Sequence, residues 1–174
     1  GKTLGIVGLG RLGKIIAKYG NCLGMKVLAF DPYLKDSIFT ENQVENIGLS
    51  DLLAKSDFIS LHLPLNRETE NLFGEDEFLQ MKPNAFLVNT SRGKIVNENG
   101  LLWALENKKI AGYAGDVLSD EIEFGENCSK NALARYSQKN SNVILTPHLG
   151  GLTFEAREAT DVFLAQKLKK FFTN

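Results

Sequence analysis

The feature that most constrains this chain is the run Gly5-Ile6-Val7-Gly8-Leu9-Gly10-Arg11-Leu12-Gly13 near its start. A short apolar segment enters a glycine-rich turn, and the turn enters a helical pattern. Gly8, Gly10 and Gly13 fit G-x-G-x-x-G, and each position answers a separate physical need. Gly8 permits a sharp turn at the strand end. Gly10, without a Cβ, lets a pyrophosphate approach the main chain, and Gly13 lets the helix lie close to the strand. The helix that follows aims its free N–H groups and the positive end of its dipole at the phosphates.

A second apolar run, Val27-Leu28-Ala29-Phe30, ends in Asp31, 18 positions past Gly13. An acidic residue at that distance sits at the tip of the second strand, where it accepts hydrogen bonds from the adenosine ribose. Asp31-Pro32 would also serve as a plain turn opener. The strand–turn–helix context together with Asp31 favours dinucleotide binding. A carboxylate there repels a 2′-phosphate and no Arg follows at once, so NAD is expected over NADP.

Composition narrows the rest. With 174 residues and 43% hydrophobic content, one domain with a sizeable core is expected. A net charge of −1 offers no footprint for nucleic acid or for a membrane surface. Cys22 and Cys128 stand far apart with no metal-ligand spacing, which points to free thiols, a reducing cytoplasm and no metal site. No apolar run is long enough to span a bilayer, and no signal peptide precedes the first strand. The abrupt start at Gly1-Lys2-Thr3 suggests a piece of something longer.

In chain order the pattern predicts a helix over Arg11–Leu23, with Leu12, Ile15, Ile16, Tyr19 and Leu23 at helical spacing. A strand at Lys26–Phe30 follows. Tyr33–Gly48 is polar, with room for a short helix. Ser50 is expected to cap a helix through Lys55 that buries Leu52 and Leu53. Strand Phe58–Leu61, loop Asn66–Asn71, helix Glu75–Met81 and strand Ala85–Asn89 come next. The helix Asn97–Asn107 should bury Leu101, Leu102, Ala104 and Leu105. A strand over Ala111–Val117 precedes Leu118–Asn140, where only the cluster Ala132, Leu133, Tyr136 hints at a helical turn or two. Val143–Leu145 is the last strand. Thr153 should cap a final helix to about Phe171, with Phe154, Ala159, Val162, Phe163 and Leu168 as candidates for burial.

Strands alternating with helices imply an α/β, Rossmann-type doubly wound parallel sheet with helices on both faces. Ligands then sit beyond the carboxyl ends of the strands. The polar residues there are Asp31, His62, Thr90, Arg92, Asp116 and His148. Hydride transfer between nicotinamide and a 2-hydroxy or 2-oxo acid needs a cation whose planar fork can hold a carboxylate, and Arg92 suits this. It needs a proton exchanger near neutral pH, which suits His148. A carboxylate beside that ring would orient it, and Glu121 or Asp120 is available. Singly, each has a plain reading: Arg92 as a solvated loop residue, His148 as a turn residue, Glu121 as part of an acidic surface run. His62 is most simply a strand-end histidine near the cofactor, without a catalytic role.

The order and wording of the segments decide between these readings. Gly8–Gly13, Phe30-Asp31-Pro32-Tyr33, Leu61-His62-Leu63-Pro64-Leu65, Met81-Lys82-Pro83, Leu87-Val88-Asn89-Thr90-Ser91-Arg92-Gly93, Gly115-Asp116-Val117 and Thr146-Pro147-His148-Leu149-Gly150-Gly151 together closely resemble the D-isomer-specific 2-hydroxyacid dehydrogenases, phosphoglycerate dehydrogenase among them. The resemblance implies Arg92 as the substrate-binding arginine, His148 as the acid/base and Glu121 as its partner. It implies Asp116 at the nicotinamide carboxamide. Further cofactor contacts are implied at the backbone of Arg11 and Leu12, at His62 and Pro64, at Thr90, Ser91 and Arg92, and at His148, Gly150 and Gly151. A homodimer is also implied.

Two departures stand out. Ile122 occupies the place where the family has Pro after the glutamate, so Asp120 and Glu123 offer other registers. The stretch from Glu121 to His148 is longer than usual, implying an insertion around Asn127–Asn140. Family members also have a second, substrate-binding lobe, which is expected to be missing from residues 1–174. The chain alone is then expected to bind NAD but to turn over 2-oxo acids poorly. The alternative is an NAD-sensing interaction module of the co-repressor type. A methyltransferase-type domain would leave Arg92 and His148 unexplained.

Overall fold

The computed structural model describes residues 1–119, 121 and 130–173. Seven strands form one parallel sheet: β1 Thr3–Val7, β2 Lys26–Phe30, β3 Glu45–Asn46, β4 Phe58–Leu61, β5 Phe86–Asn89, β6 Gly112–Gly115 and β7 Val143–Leu145. Their order is β3-β2-β1-β4-β5-β6-β7. The direction of winding reverses between β1 and β4, which creates a crevice at the carboxyl ends beside β1. The helices are α1 Arg11–Cys22, α2 Asp36–Glu41, α3 Leu49–Lys55, α4 Glu75–Gln80, α5 Glu98–Glu106, α6 Ala132–Ser137 and α7 Phe154–Thr173. A 3₁₀ turn covers Gly93–Ile95.

Two cores lie on opposite faces of the sheet. One gathers Ile6, Leu9, Ala17, Val27, Ala29 and Phe39 beneath α1 and α2. The larger gathers Leu28, Leu52, Ile59, Leu61, Phe73, Phe78, Leu87 and Leu101 beneath α3, α4 and α5. Central strands covered on both sides carry continuous apolar runs, as in Ile6-Val7 and Leu28-Ala29.

The structure revises several local expectations. In α1 the buried residues are Gly13, Ala17 and Gly20, while Leu12, Ile15, Tyr19 and Leu23 are exposed. The helix lies so near the sheet that Gly13, Ala17 and Gly20 sit directly beneath it; Ile16 packs at the edge of the core, and the rest of the apolar residues turn outward. Gly48, not Ser50, stands at the N-cap of α3, and the Ser50 hydroxyl bonds Gln80 instead. Leu102 is only partly buried, unlike Leu101, Ala104 and Leu105. Thr153 does cap α7, its Oγ1 accepting from the Ala156 N–H at 3.2 Å, but no residue of that helix is buried. Phe154, Phe171 and Phe172 are 91%, 77% and 79% exposed. No part of the described chain covers this helix. β3 was not expected at all: it is two polar residues whose strand geometry comes from pairing with Leu28 and Ala29. The cluster Ala132, Leu133, Tyr136 does form a helix, capped by the Asn131 side chain accepting from the Ala134 N–H.

Candidate functional site

At the end of β1, Gly8 takes φ +94°, a conformation that L side chains rarely adopt. A Cβ on Gly13 would run into the Gly8 carbonyl, so helix and turn meet only because both residues are glycine. Around Gly10 the opposite holds. A Cβ there would meet nothing within 4 Å, leaving clear space over the start of α1. Open space in front of free helix N–H groups is what an incoming pyrophosphate requires. Arg11 and Leu12 open the helix and are exposed beside that space.

Asp31 stands at the tip of the neighbouring strand. Its Oδ2 accepts from the Leu9 N–H at 3.0 Å and its Oδ1 from the Tyr33 N–H at 3.1 Å. The carboxylate is thereby tied to the glycine turn. A cavity of about 350 Å³ opens beside it, lined by Phe30, Asp31, Pro32, Leu34, Ile47 and Gly48 among others. A second, of about 670 Å³, opens near β6 and β7, with Asp116, Glu121, Thr146 and His148 in its wall. Between β2 and β6 lie four strand spacings, roughly 19 Å at the usual interval. The first cavity adjoins the Asp31 tip of β2, and the second adjoins the His148–Glu121 pair.

His62, following β4, is half-buried. Its Nε2 lies 2.9 Å from the Ser60 Oγ, and its Nδ1 is buried with no partner among the described residues. Burial lowers its pKa to about 4, so the ring is neutral near pH 7. Pro64 is exposed, and its carbonyl accepts from the Thr69 hydroxyl at 2.6 Å.

At the end of β5, Asn89 is fully buried and clamps the turn that carries the arginine. Its Nδ2 donates to the Arg92 carbonyl at 2.9 Å, and its Oδ1 accepts from the Ser91 N–H at 3.0 Å. The Ser91 hydroxyl donates to the Leu61 carbonyl at 2.6 Å and so faces β4. Thr90 is exposed. The exposed Arg92 donates from Nη1 to the Ser91 carbonyl at 2.6 Å. Gly93 then packs on the Leu118–Ser119 backbone so closely that a Cβ would collide with it. That contact brings the arginine turn against the segment leading to Glu121.

Asp116, just after β6, is buried and organises the next loop. It accepts from the Thr146 hydroxyl, from the Leu149 N–H at 2.9 Å and from the Gly150 N–H at 2.8 Å. Burial pushes its carboxyl up, but these three donors and the nearby His148 outweigh that and hold it below the usual carboxylate range. A carboxylate has about four lone-pair sites, of which three are taken by these donors. Gly151 is exposed with open space about it.

The loop that Asp116 fixes presents His148 at φ +53°, an uncommon backbone state for a residue other than glycine. His148 Nδ1 lies 2.9 Å from Glu121 Oε1. The other glutamate oxygen accepts from the Leu118 N–H at 3.3 Å. Of the acidic run, Glu121 is the residue set against the ring; Asp120 and Glu123 lie outside the described residues, as does part of the insertion expected at Asn127–Asn140. Arg92, Glu121 and His148 thus follow β5, β6 and β7, three neighbouring strands on one edge of the sheet.

Sequence reasoning missed three supports. Asn89 is one; its signal in the sequence is a polar residue closing an apolar strand, which marks a buried clamp. Thr146, whose hydroxyl anchors Asp116, is another. Glu98 accepts from the Ser119 N–H and from the Asn131 side chain, both at 2.7 Å, bracing the end of β6. On a helix surface such a role leaves no mark in the sequence.

The chain is similar to known proteins over nearly its whole length. A family model described as D-isomer specific 2-hydroxyacid dehydrogenase, NAD binding domain, matches residues 1–150. Glyoxylate reductase of Thermococcus litoralis is 43% identical over 171 residues, covering 98% of this chain and 49% of that protein. D-3-phosphoglycerate dehydrogenase of Synechocystis sp. is 39% identical over 168 residues, covering 97% of this chain and 29% of that protein. D-lactate dehydrogenase from Aquifex aeolicus, solved with NAD and lactic acid, superposes with a TM-score of 0.85 at 33% identity, over 99% of this chain and 54% of that one. The chain spans about half the length, or less, of these relatives. They are enzymes, and the co-repressor reading gains no support from them. Turn, carboxylate, arginine and histidine–glutamate pair all fall within one matched segment, and the chain belongs to the D-isomer specific 2-hydroxyacid dehydrogenases as their NAD-binding domain.

Proposed function

We propose that this chain is the cofactor half of an NAD-dependent oxidoreductase acting on a small 2-hydroxy or 2-oxo acid. The observation that carries the reading is the placement of Arg92, Glu121 and His148 on three adjacent strand ends, beside a glycine turn tied to Asp31. When bound near the glycine turn, the cofactor would supply a hydride as NADH or accept one as NAD. The Arg92 guanidinium binds the substrate carboxylate through paired N–H donors and polarises the carbonyl that accepts the hydride. His148 gives its proton to the developing alkoxide, or takes it from the alcohol in the reverse direction. Glu121 orients the ring through Nδ1, which leaves Nε2 as the exchanging nitrogen. Asp116 holds the loop that carries the histidine.

The substrate lobe is proposed to lie outside residues 1–174 and to seat on the uncovered face of α7, where Phe163, Leu164 and Leu168 are exposed. Without it water is not excluded from the reacting atoms. Homodimerisation is proposed through this domain, with the apolar stripe of α1 as available surface. Among the described residues no helix is long and apolar enough to cross a membrane. With Cys22 exposed and free, a reducing cytoplasm is the proposed location.

The test is a panel of 2-oxo acids, glyoxylate included, with NADH and the purified chain. Saturable NADH binding with little turnover is expected. Robust NADH oxidation would overturn the assignment of a separate lobe. Absence of NADH binding would overturn the function. Once a substrate lobe is supplied, Arg92→Ala and His148→Ala should abolish turnover.

A further inference from the structure

We infer that Glu68, held by Tyr33 over the adenosine end of the cleft, is a second acidic determinant that selects NAD against NADP; this rests on the cofactor reading above. Tyr33 is gripped at both ends. Its N–H donates to the Asp31 carboxylate at 3.1 Å, and its hydroxyl donates to the Glu68 carboxylate. The two carboxylates are therefore separated by one tyrosine side chain. Glu68 is not placed by chance of a long side chain alone. Asn66 Oδ1 accepts from the Glu68 N–H at 2.8 Å and from the Thr69 N–H at 3.1 Å, and the Thr69 hydroxyl is tied to the Pro64 carbonyl. These bonds fix the backbone of the turn that carries the glutamate.

Topology says what the link spans. Tyr33 follows β2 and Glu68 follows β4, the two neighbours of β1. Both loops therefore leave the sheet at the carboxyl ends of strands that border β1, whose own end carries the glycine turn. Charge supports this placement: the Tyr33 hydroxyl is held above its ordinary pKa, chiefly by the bond and charge of Glu68 and to a lesser degree by Asp31. One hydroxyl stands in the field of both carboxylates.

A 2′-phosphate on the ribose would carry close to two negative charges into that field. It would also find the Tyr33 hydroxyl, a neutral donor on this rim, already committed to Glu68. Lys35 and Arg67 are the cations on the same two loops, and neither pairs with Asp31 or Glu68 among the described residues. On an exposed rim, one carboxylate roughly 8 Å from a doubly charged group changes its affinity by about threefold to tenfold, and less at high salt.

The experiment is a fluorescence titration of the chain with NADH and with NADPH under matched conditions. Glu68→Gln is expected to tighten NADPH binding about threefold to tenfold, with NADH affinity moving by no more than about twofold. Tyr33→Phe, which releases Glu68 from the rim, should move the ratio the same way, and the double variant should gain no more than Glu68→Gln alone. In the wild-type chain the discrimination should narrow as salt rises. An unchanged NADPH-to-NADH ratio in Glu68→Gln, in a protein that binds NADH, overturns this inference and leaves the cofactor reading standing. A wild-type chain that binds neither nucleotide overturns both.

Discussion

Glu121 and His148, 27 positions apart in the chain, meet through one hydrogen bond of 2.9 Å between Oε1 and Nδ1. The contact exists because β6 and β7 are adjacent and parallel, so the segments leaving them emerge side by side. In the tautomer this contact selects, Nδ1 carries the hydrogen and Nε2 the lone pair. Nitrogen-15 spectra of the imidazole should show that tautomer in the wild-type chain. In Glu121→Ala the preference should disappear. Equal spectra in the two proteins would mean the pair does not persist in solution.

The glycines separate folding from binding. Gly10→Ala adds a methyl to open space, so stability should change by no more than about 0.5 kcal/mol. NADH affinity should nevertheless fall at least about tenfold, because the methyl stands where the phosphates approach. Gly93→Ala drives a Cβ into the Leu118 backbone and should cost about 2–4 kcal/mol in urea unfolding. If Gly10→Ala unfolds the protein, or leaves NADH binding intact, the turn is not the phosphate site.

Asp116→Ala would leave the Thr146 hydroxyl and the Leu149 and Gly150 amides without their acceptor. A loss of about 2–4 kcal/mol is expected. Because the folded carboxyl is held below its ordinary value, its stabilising contribution is present above the unfolded pKa of 3.8 and lost as pH falls through the folded value. Chemical denaturation at pH 7 and pH 3 should show the variant's deficit shrinking in acid.

His62 acts in the opposite sense. Its folded pKa is about 4 against 6.5 for the free side chain, so between those values the unfolded chain binds the extra proton. Stability should rise with pH through that window, and the deficit is complete below about 4. From pH 7 to 4.5 the wild-type chain should lose about 2 kcal/mol that His62→Gln does not, after allowance for partial exposure of the ring. Parallel pH dependences in the two proteins would show that the ring is solvated.

Much of this architecture is written in the sequence because its signals are local. The glycine spacing, the apolar runs of β1 and β2, and Asp31 at a strand tip each follow from a neighbour-scale need. The helix-capping role of Asn97, whose Oδ1 accepts from the Gly100 N–H at 2.9 Å, is of the same kind. What could not be read depends on distant partners. The apolar residues of α1 mark the helix by their spacing, but which of them face the sheet depends on the close seat permitted by Gly13 and Gly20, which leaves Leu12, Ile15 and Tyr19 outward. The burial proposed for Phe163 and Leu168 needs a surface outside this chain. β3 exists only as a partner to β2. Glu121 is implied by resemblance to the family pattern, but residue types alone leave Asp120 and Glu123 open; the Nδ1–Oε1 contact, which depends on β6 and β7 lying side by side, ties Glu121 to the ring. Asn89, Glu98 and the Tyr33–Glu68 link join segments that no spacing rule connects.

The most direct measurement of the central claim is a titration of the purified chain with NADH, followed by nicotinamide fluorescence. The account predicts saturable binding, displaced by NAD and by ADP-ribose, and weakened at least about tenfold in Asp31→Ala through loss of the ribose contact. A chain that folds, yet shows no measurable affinity for any adenine dinucleotide, would contradict it.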